Sequence, residues 1–223
     1  MAKIDILALG GLRQKARESL DEAFACHHAS TQEEVDSILD ASGPVIRGIA
    51  RVGHIAIDRP LLERLPALEI IANFGVGYDG IDLAYCAENG IVVTNSPDVL
   101  TEEVADTALG LLLNTVREFS AAERYVRQGR WPGGGYPLTH SLRDRTVGIL
   151  GLGRIGLAVA RRLDAMRVPV AYHNRNRRDD VSYAYHPDLK SLAEAVDTLI
   201  IVAPGTATTK NLVDAEILAA LGP

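Results

Sequence analysis

Long apolar runs, cysteines and an excess of positive charge are all scarce in this sequence of 223 residues. The N-terminal stretch MAKIDILALGG carries Asp5 among its apolar residues and lacks the long core of a signal peptide. No later run reaches membrane-spanning length. The formal net charge of −6 argues against a general nucleic-acid-binding surface. We therefore predict a cytoplasmic protein that binds neither membranes nor nucleic acids.

The two cysteines, Cys26 and Cys86, are far apart in the sequence. Metal and redox sites usually draw on cysteines with closer partners. We therefore predict two reduced, partly buried thiols, as in cytosolic proteins, and no metal site.

What the sequence does contain is a repeated alternation of short strand-like runs with helical patterns. In the first part of the chain, strands are predicted at 3–9, 44–50, 68–74 and 91–95. A helix at 81–89 is expected to stop at Gly90, a residue that suits a helix C-terminus. This alternation favours an α/β fold with a mostly parallel sheet covered by helices.

The alternation is interrupted at 95–131. Thr101 can cap the helical region at 101–128, whose middle, ALGLLLNTV, is apolar on most sides. Such a helix is normally buried between two layers or against a second subunit. A second series of strands then follows at 146–150, 168–173 and 198–204, with a last helical segment at 214–221.

A glycine pattern directly follows the strand 146–150. Gly151, Gly153 and Gly156 form G-x-G-x-x-G at the start of a helical pattern, which is typical of a dinucleotide-binding turn. The first glycine permits a tight turn, the second lets the backbone approach a pyrophosphate, and the third lets helix and strand pack closely. The helix N-terminus offers unpaired N–H groups to the phosphates.

The end of the next strand distinguishes the cofactors. An NAD site places an acidic residue there, which would repel a 2′-phosphate. This sequence has the neutral Asn174 at that place, followed by Arg175, Arg177 and Arg178. A guanidinium can hold a phosphate through two parallel hydrogen bonds, so we predict NADP in preference to NAD. The alternative is a solvated basic loop with no ligand.

Several motifs together resemble the D-isomer-specific 2-hydroxyacid dehydrogenases. They are NFGVGYDGID (73–82), TNSPDVLTEEVADTALGLLL (94–113), GRW (129–131), VGILGLGRIG (147–156) and VAPGTATTKNLVD (202–214). The sequence YHNR (172–175) is most similar to the NADPH-using glyoxylate and hydroxypyruvate reductases of that family.

The resemblance implies two domains: a flavodoxin-like substrate domain at 1–98 and a Rossmann NAD(P)-binding domain at 99–223. It also implies a homodimer built through the helix region 101–128. The backbone N–H groups of Val76 and Gly77 would bind the substrate carboxylate. Residues expected at the cofactor are Gly151, Leu152, Gly153, Arg154, Ile155, Gly156, Asn174, Arg175, Asn176, Ala203, Pro204 and Thr209. Arg51, Val52 and Trp131 are further candidates to face the cleft.

Family members transfer a hydride between the nicotinamide and C2 of the substrate, assisted by an arginine, a histidine and an acidic residue. All three follow the segment that matches 202–214, so we expect them beyond residue 223 and name no catalytic residue here. The histidines present match none of these positions; they are His27, His28, His54, His140, His173 and His186. We accordingly expect a fragment whose nucleotide domain lacks its second half, with 146–150 as an open sheet edge.

The resemblance leads to one main hypothesis and two alternatives. The main hypothesis is reduction of a small 2-oxo acid, such as glyoxylate or hydroxypyruvate, to the 2-hydroxy acid by NADPH. One alternative is a truncated, inactive product that binds nucleotide or dimerises. The other is an NAD-linked dehydrogenase for another acid, such as phosphoglycerate.

Overall fold

The computed structural model describes residues 2–206 and 208–222. It separates into two compact units, the first ending at Val99 and the second beginning at Leu100. Within the described ranges, no helix combines the length and the apolar character that crossing a membrane requires. The assignment of substrate to one unit and nucleotide to the other stays a prediction.

The first unit alternates five strands with four helices among its described residues. In chain order they are β1 (Asp5–Leu9), α1 (Gln14–Ala23), β2 (Ala25–Ala29), α2 (Gln32–Ser42), β3 (Gly48–Arg51), α3 (Arg59–Leu62), β4 (Ile70–Asn73), α4 (Leu83–Glu88) and β5 (Val92–Thr94). Local signals set several of these boundaries. Thr31 and Glu34 form a reciprocal capping box at the start of α2. Gly90 follows α4 with a φ of 70°, as its place after the predicted helix suggested.

The strands of the first unit form one parallel sheet in the order β2-β1-β3-β4-β5. This is the flavodoxin-like order, so the predicted fold class is confirmed. β1 lies inside the sheet, and four of its five residues are buried, which explains its nearly continuous apolar sequence. The core combines strand and helix residues, including Leu7, Leu9, Val35 and Ile71.

The second unit begins with two helices and continues with four strands among its described residues. In chain order they are α5 (Thr101–Arg117), α6 (Phe119–Arg127), β6 (Val147–Leu150), α7 (Arg154–Ala165), β7 (Val170–His173), β8 (Ala184–Tyr185), α8 (Leu189–Glu194), β9 (Thr198–Ile201) and α9 (Ala215–Leu221). α5 packs on α7, where Arg162 pairs with Glu102 and Asp106.

The second sheet corrects the expectation of an open edge at 146–150. Its strands are parallel and run β8-β7-β6-β9, the 3-2-1-4 part of a dinucleotide-binding sheet. The expectation that 146–150 is an open edge was wrong, because Val147 pairs with Val170 on one side and with Thr198 on the other. The third strand is β8, which has only two residues and gave no clear sequence pattern.

The predicted helical region 101–128 is also corrected, because it consists of two helices. Glu118 breaks it with a left-handed backbone, at a φ of 52°. The break is stabilised by the side chain of Asn114, whose Oδ1 accepts hydrogen bonds from the backbone N–H and the hydroxyl of Ser120. Thr101 is not the cap: it is the first residue of α5, and Leu100 occupies the cap position without a capping side chain.

Candidate functional site

In the first unit, the loop after β4 turns its carbonyl groups inward. The amide nitrogen of the Asn73 side chain donates to the carbonyl oxygens of Gly75 at 3.2 Å and Gly77 at 2.9 Å. The side chain of Asn95 donates to the carbonyl oxygen of Val76 at 3.0 Å. Among the described residues, no hydrogen bond uses the backbone N–H groups of Val76 or Gly77. The loop therefore has two donors available for an anion, and the binding of a substrate carboxylate by Val76 and Gly77 stays a prediction.

The loop is supported from below by a buried arginine. Arg51, at 5% exposure, donates from Nη1 to the Oδ1 atom of Asn73 at 2.8 Å and from Nε to the carbonyl of Ile55 at 3.0 Å. These bonds hold the Asn73 amide with its NH₂ toward the loop. Burial lowers the pKa of Arg51 from its ordinary value, and the nearby Asp79 opposes that shift. An arginine stays protonated under such a shift, so it adds positive charge beneath the loop.

A cavity of about 440 Å³ lies at this end of the sheet and is lined by Arg51, Asn73, Gly75, Gly77, His54 and Asp79, among others. Of the first-unit candidates to face a cleft, Arg51 lines this cavity and Val52 does not. Sequence reasoning missed Asn73 and the role of Gly80, where an added Cβ would lie 2.6 Å from Nη2 of Arg51. One sequence signal could have identified Arg51 and Asn73 as partners, since each is the polar last residue of an apolar strand.

In the second unit, the three glycines of the predicted dinucleotide turn are required for three different reasons. Gly151 has a φ of 99°, and a Cβ there would lie 2.8 Å from the backbone nitrogen of Ala203. A Cβ on Gly156 would lie 2.2 Å from the carbonyl oxygen of Gly151. No atom of the described residues is found within 4 Å of the Cβ position of Gly153, so the backbone there is open to a ligand. Gly153 directly precedes α7, and the N-terminus of a helix is a favourable site for an anion.

Asn174 and Arg178 hold this turn in place. The Oδ1 atom of Asn174 accepts a hydrogen bond from the backbone N–H of Leu152 at 2.6 Å, and Arg178 donates to the carbonyl of Leu152 at 3.0 Å. Leu152 is buried, and both of its backbone polar groups are occupied by these contacts. Arg178 also pairs with Asp180, which raises the pKa of the guanidinium. The last of the three arginines is therefore structural.

Arg175 differs from Arg178. It is exposed, and no hydrogen bond or ion pair joins it to another residue in the described part of the chain. Asn176 and Arg177 beside it are exposed too. His173 is turned away, since its Nδ1 bonds to the carbonyl of His186 at 2.9 Å. A guanidinium in this position is available to a phosphate at the end of β7.

The predicted residues after β9 lie around a second cavity of about 360 Å³. Ala203, Pro204 and Thr209 line it together with Leu150 at the end of β6. The hydroxyl of Thr209 donates to the carbonyl of Pro204 at 2.6 Å, which fixes the loop between them. The cavity lies at the carboxyl ends of adjacent parallel strands, where open α/β sheets bind ligands.

The predicted residues thus form one set in each unit. Val76 and Gly77 lie together in the first unit. Arg154 and Ile155 follow the glycine turn as the first residues of α7 in the second. Two of the histidines outside these sets have side-chain partners: His27 bonds to Asp5 at 2.8 Å and His28 to Asp21 at 2.7 Å.

These features match a known family. Residues 109–223 match the model of the D-isomer specific 2-hydroxyacid dehydrogenase, NAD binding domain. The chain belongs to the D-isomer specific 2-hydroxyacid dehydrogenases. Members of this family are oxidoreductases, and the chain contains a Rossmann NAD-binding domain of their type.

Individual relatives cover the whole chain. A solved structure of an NADPH-dependent glyoxylate/hydroxypyruvate reductase from Sinorhizobium meliloti, in complex with NADP and malonate, is 52% identical with a TM-score of 0.90. That match covers 100% of this chain and 69% of the other. A glyoxylate/hydroxypyruvate reductase A of Arabidopsis thaliana is 39% identical over 100% of this chain and 71% of its own length. A 2-ketogluconate reductase of Gluconobacter oxydans is 36% identical over 99% of this chain and 70% of its own length.

Proposed function

We propose that this protein is an NADPH-dependent reductase that converts a small 2-oxo acid, of the glyoxylate and hydroxypyruvate class, to the 2-hydroxy acid. The observation that carries the proposal is the loop at Gly75–Gly77. Its carbonyls all accept hydrogen bonds from side chains, while no hydrogen bond among the described residues uses the N–H groups of Val76 and Gly77. Two adjacent amides above a buried arginine suit a carboxylate, the group that every 2-oxo acid carries. The relatives named as glyoxylate/hydroxypyruvate reductases support this substrate class.

The cofactor assignment rests on the end of β7. Asn174 supplies no negative charge there, and the exposed Arg175 has no partner among the described residues. This combination suits a 2′-phosphate, whereas an NAD site would place a carboxylate at the strand end. When bound, NADPH supplies the hydride that reduces C2 of the acid. The open backbone at Gly153 and the first turn of α7 would hold its pyrophosphate.

The assembly proposed is a cytoplasmic homodimer. Apolar side chains remain exposed along the first two helices of the second unit: Leu111 is 61% exposed on α5, and Phe119 and Val126 are 52% and 54% exposed on α6. Exposed apolar positions of this kind suit contact with a second copy of the chain. Another side of α5 is already used, since Ala105 and Leu112 are buried in the unit's own core.

The proposal is tested by cofactor binding and by turnover. We expect NADPH to bind more tightly than NADH, measured by nucleotide fluorescence, and glyoxylate to cause NADPH oxidation, measured by absorbance. Turnover is measured with the chain and with any longer product of the same gene. NADPH binding without glyoxylate- or hydroxypyruvate-dependent oxidation in either would contradict the reductase proposal and favour the nucleotide-binding alternative.

Arg175→Ala tests the cofactor assignment separately. Loss of a charge-assisted hydrogen bond costs about 1.5–3 kcal/mol, so the Kd for NADPH is expected to rise roughly 10- to 150-fold. The Kd for NADH should stay within about twofold of the unmodified protein's, because its ribose has no phosphate at this place. Arg143→Ala, another exposed arginine of the same unit, is the control. Unchanged discrimination between the two nucleotides in Arg175→Ala would contradict the assignment.

A further inference from the structure

A cluster of three metal-binding residue types lies at the edge of the first sheet, outside the cavity of Arg51. Asp21 belongs to the last turn of α1, and Cys26 and His28 belong to the edge strand β2. Residues two apart on a strand share a face, so Cys26 and His28 both point to the side where α1 packs. His27, between them, bonds to Asp5 instead. One ligand atom from each of the three residues lies within 4.8 Å of the other two.

The three side chains already contact one another. The Nε2 atom of His28 and the Oδ1 atom of Asp21 are 2.7 Å apart, and this bond lowers the pKa of the Asp21 carboxyl. The thiol of Cys26 interacts with the side chain of Asp21, and it also donates a long bond, of 3.9 Å, to the carbonyl of Phe24. Burial, with Asp21 beside it, raises the pKa of Cys26 to about 11.

We propose that Asp21, Cys26 and His28 bind one divalent transition-metal ion of the zinc class, with water as the fourth ligand. Thiolate sulfur, imidazole nitrogen and carboxylate oxygen are the three donors that zinc takes from proteins. A thiolate with an imidazole selects such ions over magnesium and calcium, which prefer oxygen ligands alone.

The geometry requires only small movements. Zinc–nitrogen and zinc–oxygen bonds of about 2.0–2.1 Å place the two ligand atoms of a tetrahedral site about 3.4 Å apart. The 2.7 Å contact between Asp21 and His28 must therefore open by roughly 0.7 Å. Sulfur binds zinc at about 2.3 Å, which places it about 3.6 Å from each of the other two ligand atoms. The distances between ligand atoms, which reach up to 4.8 Å, must therefore shorten by about 1 Å at most. Asp21 is exposed and can turn to do so.

The charges around the cluster narrow the choice of ion. Lys3 donates to the backbone carbonyl of Asp21 at 2.6 Å, and Arg17 lies 3.8 Å from its carboxylate. These cations disfavour an ion held by charge alone, such as magnesium. A zinc-class ion bound by one thiolate and one carboxylate is neutralised within its own ligand set, and it gains a bond to soft sulfur that magnesium does not form. The ion would join α1 to the edge strand and stabilise that edge.

The test uses the untagged chain with Co²⁺ alone as a spectroscopic substitute for zinc. We expect one Co²⁺ per chain with a near-ultraviolet thiolate-to-cobalt charge-transfer band, which Zn²⁺ displaces. The chain has only two cysteines, so the band is assigned by two variants: Cys26→Ser should abolish it, and Cys86→Ser should retain it. His28→Ala should weaken Zn²⁺ binding by at least about tenfold, since even the loss of a residue that only hydrogen-bonds to a metal ligand lowers metal affinity by about that factor.

Folding is checked for every variant by circular dichroism, and Asp21→Asn provides a second variant that leaves both strand residues intact. Zn²⁺ should also raise the Tm of the unmodified chain and not that of Cys26→Ser. Absence of the charge-transfer band in the unmodified chain would overturn the proposal. Persistence of the band in Cys26→Ser would do the same.

Discussion

Replacing Asn73 by aspartate separates the two functions of its side chain. Asn73→Asp conserves the side-chain shape and keeps an oxygen that accepts from Nη1 of Arg51, at 2.8 Å in the native protein. It removes the NH₂ group that donates to the carbonyls of Gly75 at 3.2 Å and Gly77 at 2.9 Å. A carboxylate oxygen would instead face these two carbonyl oxygens and repel them. We expect the loop to turn its peptides and misplace the N–H groups of Val76 and Gly77.

The magnitude follows from the two lost bonds. Each contributes a net of about 0.5–1.5 kcal/mol, so about 1–3 kcal/mol of loop stabilisation is lost. If carboxylate binding depends on that loop geometry, the Kd for oxalate and the KM for glyoxylate should rise about 5- to 150-fold. The stability of the unit should fall less than this, because the new carboxylate forms a buried ion pair with Arg51, which offsets part of the loss. The Kd for NADPH should not change.

The assay is titration calorimetry of the chain with oxalate, supported by steady-state KM measurements where turnover is observed. Asn89→Asp is the matched control, since the Asn89 side chain donates to the carbonyl of Tyr85 at 2.9 Å on the exposed end of α4. An oxalate Kd in Asn73→Asp within twofold of the native value would refute the reasoning. An equal loss of binding in Asn89→Asp would refute it as well, because the effect would then not come from the loop.

The remaining predictions concern stability, assembly and pH. Gly156→Ala should lower the Tm strongly, because its Cβ would overlap a backbone oxygen at 2.2 Å. Gly153→Ala should leave the Tm nearly unchanged and weaken NADPH binding. Equal shifts of the Tm in the two variants, measured by calorimetry, would contradict this prediction. Leu111→Asp should convert the proposed dimer to a monomer in light scattering, and an unchanged mass would count against that interface. Asp188 caps α8 by accepting from the N–H of Ser191, which lowers its pKa below the unfolded value of 3.8. Its stabilisation is therefore present above that pH and lost as pH falls through the folded pKa. The stability difference between Asp188→Ala and the native chain in urea should accordingly shrink from pH 6 to pH 3, and a constant difference would be the contrary result.

The dinucleotide turn shows how much a local pattern can determine. The order strand, three glycines, helix was visible in the sequence. Gly151 and Gly156 have the steric reasons expected of them, and the approach of a pyrophosphate to Gly153 stays a prediction. The neutral Asn174 at the end of the next strand was equally visible, because these signals lie within about 30 residues of one βα unit. What local patterns did not show is that Asn174 also binds the Leu152 amide, since that contact depends on how β7 pairs with β6.

Strand order was the main failure of sequence reasoning. β8 is too short to produce a pattern, so the second series was predicted with three strands, 198–204 being the third along the chain, and 146–150 was expected to be an open edge. In the fold, β9 pairs with β6 and closes that edge. Pairing partners of parallel strands are chosen by burial of both sheet faces and by crossover connections, which a single strand's sequence does not encode.

By itself, the sequence determined the α/β class, the family, the glycine turn and the absence of an acidic residue at the second strand end. All of these depend on residue type and short spacing. Only the tertiary structure decided that Arg51 and Asn73, 22 residues apart in sequence, are register partners that shape the loop above them. It likewise brought Cys26 and His28 beside Asp21, where the cysteines had been expected to lack metal partners. The physical reason is the same in both cases: the register of parallel strands and the packing of a helix on them join residues whose sequence separation carries no signal.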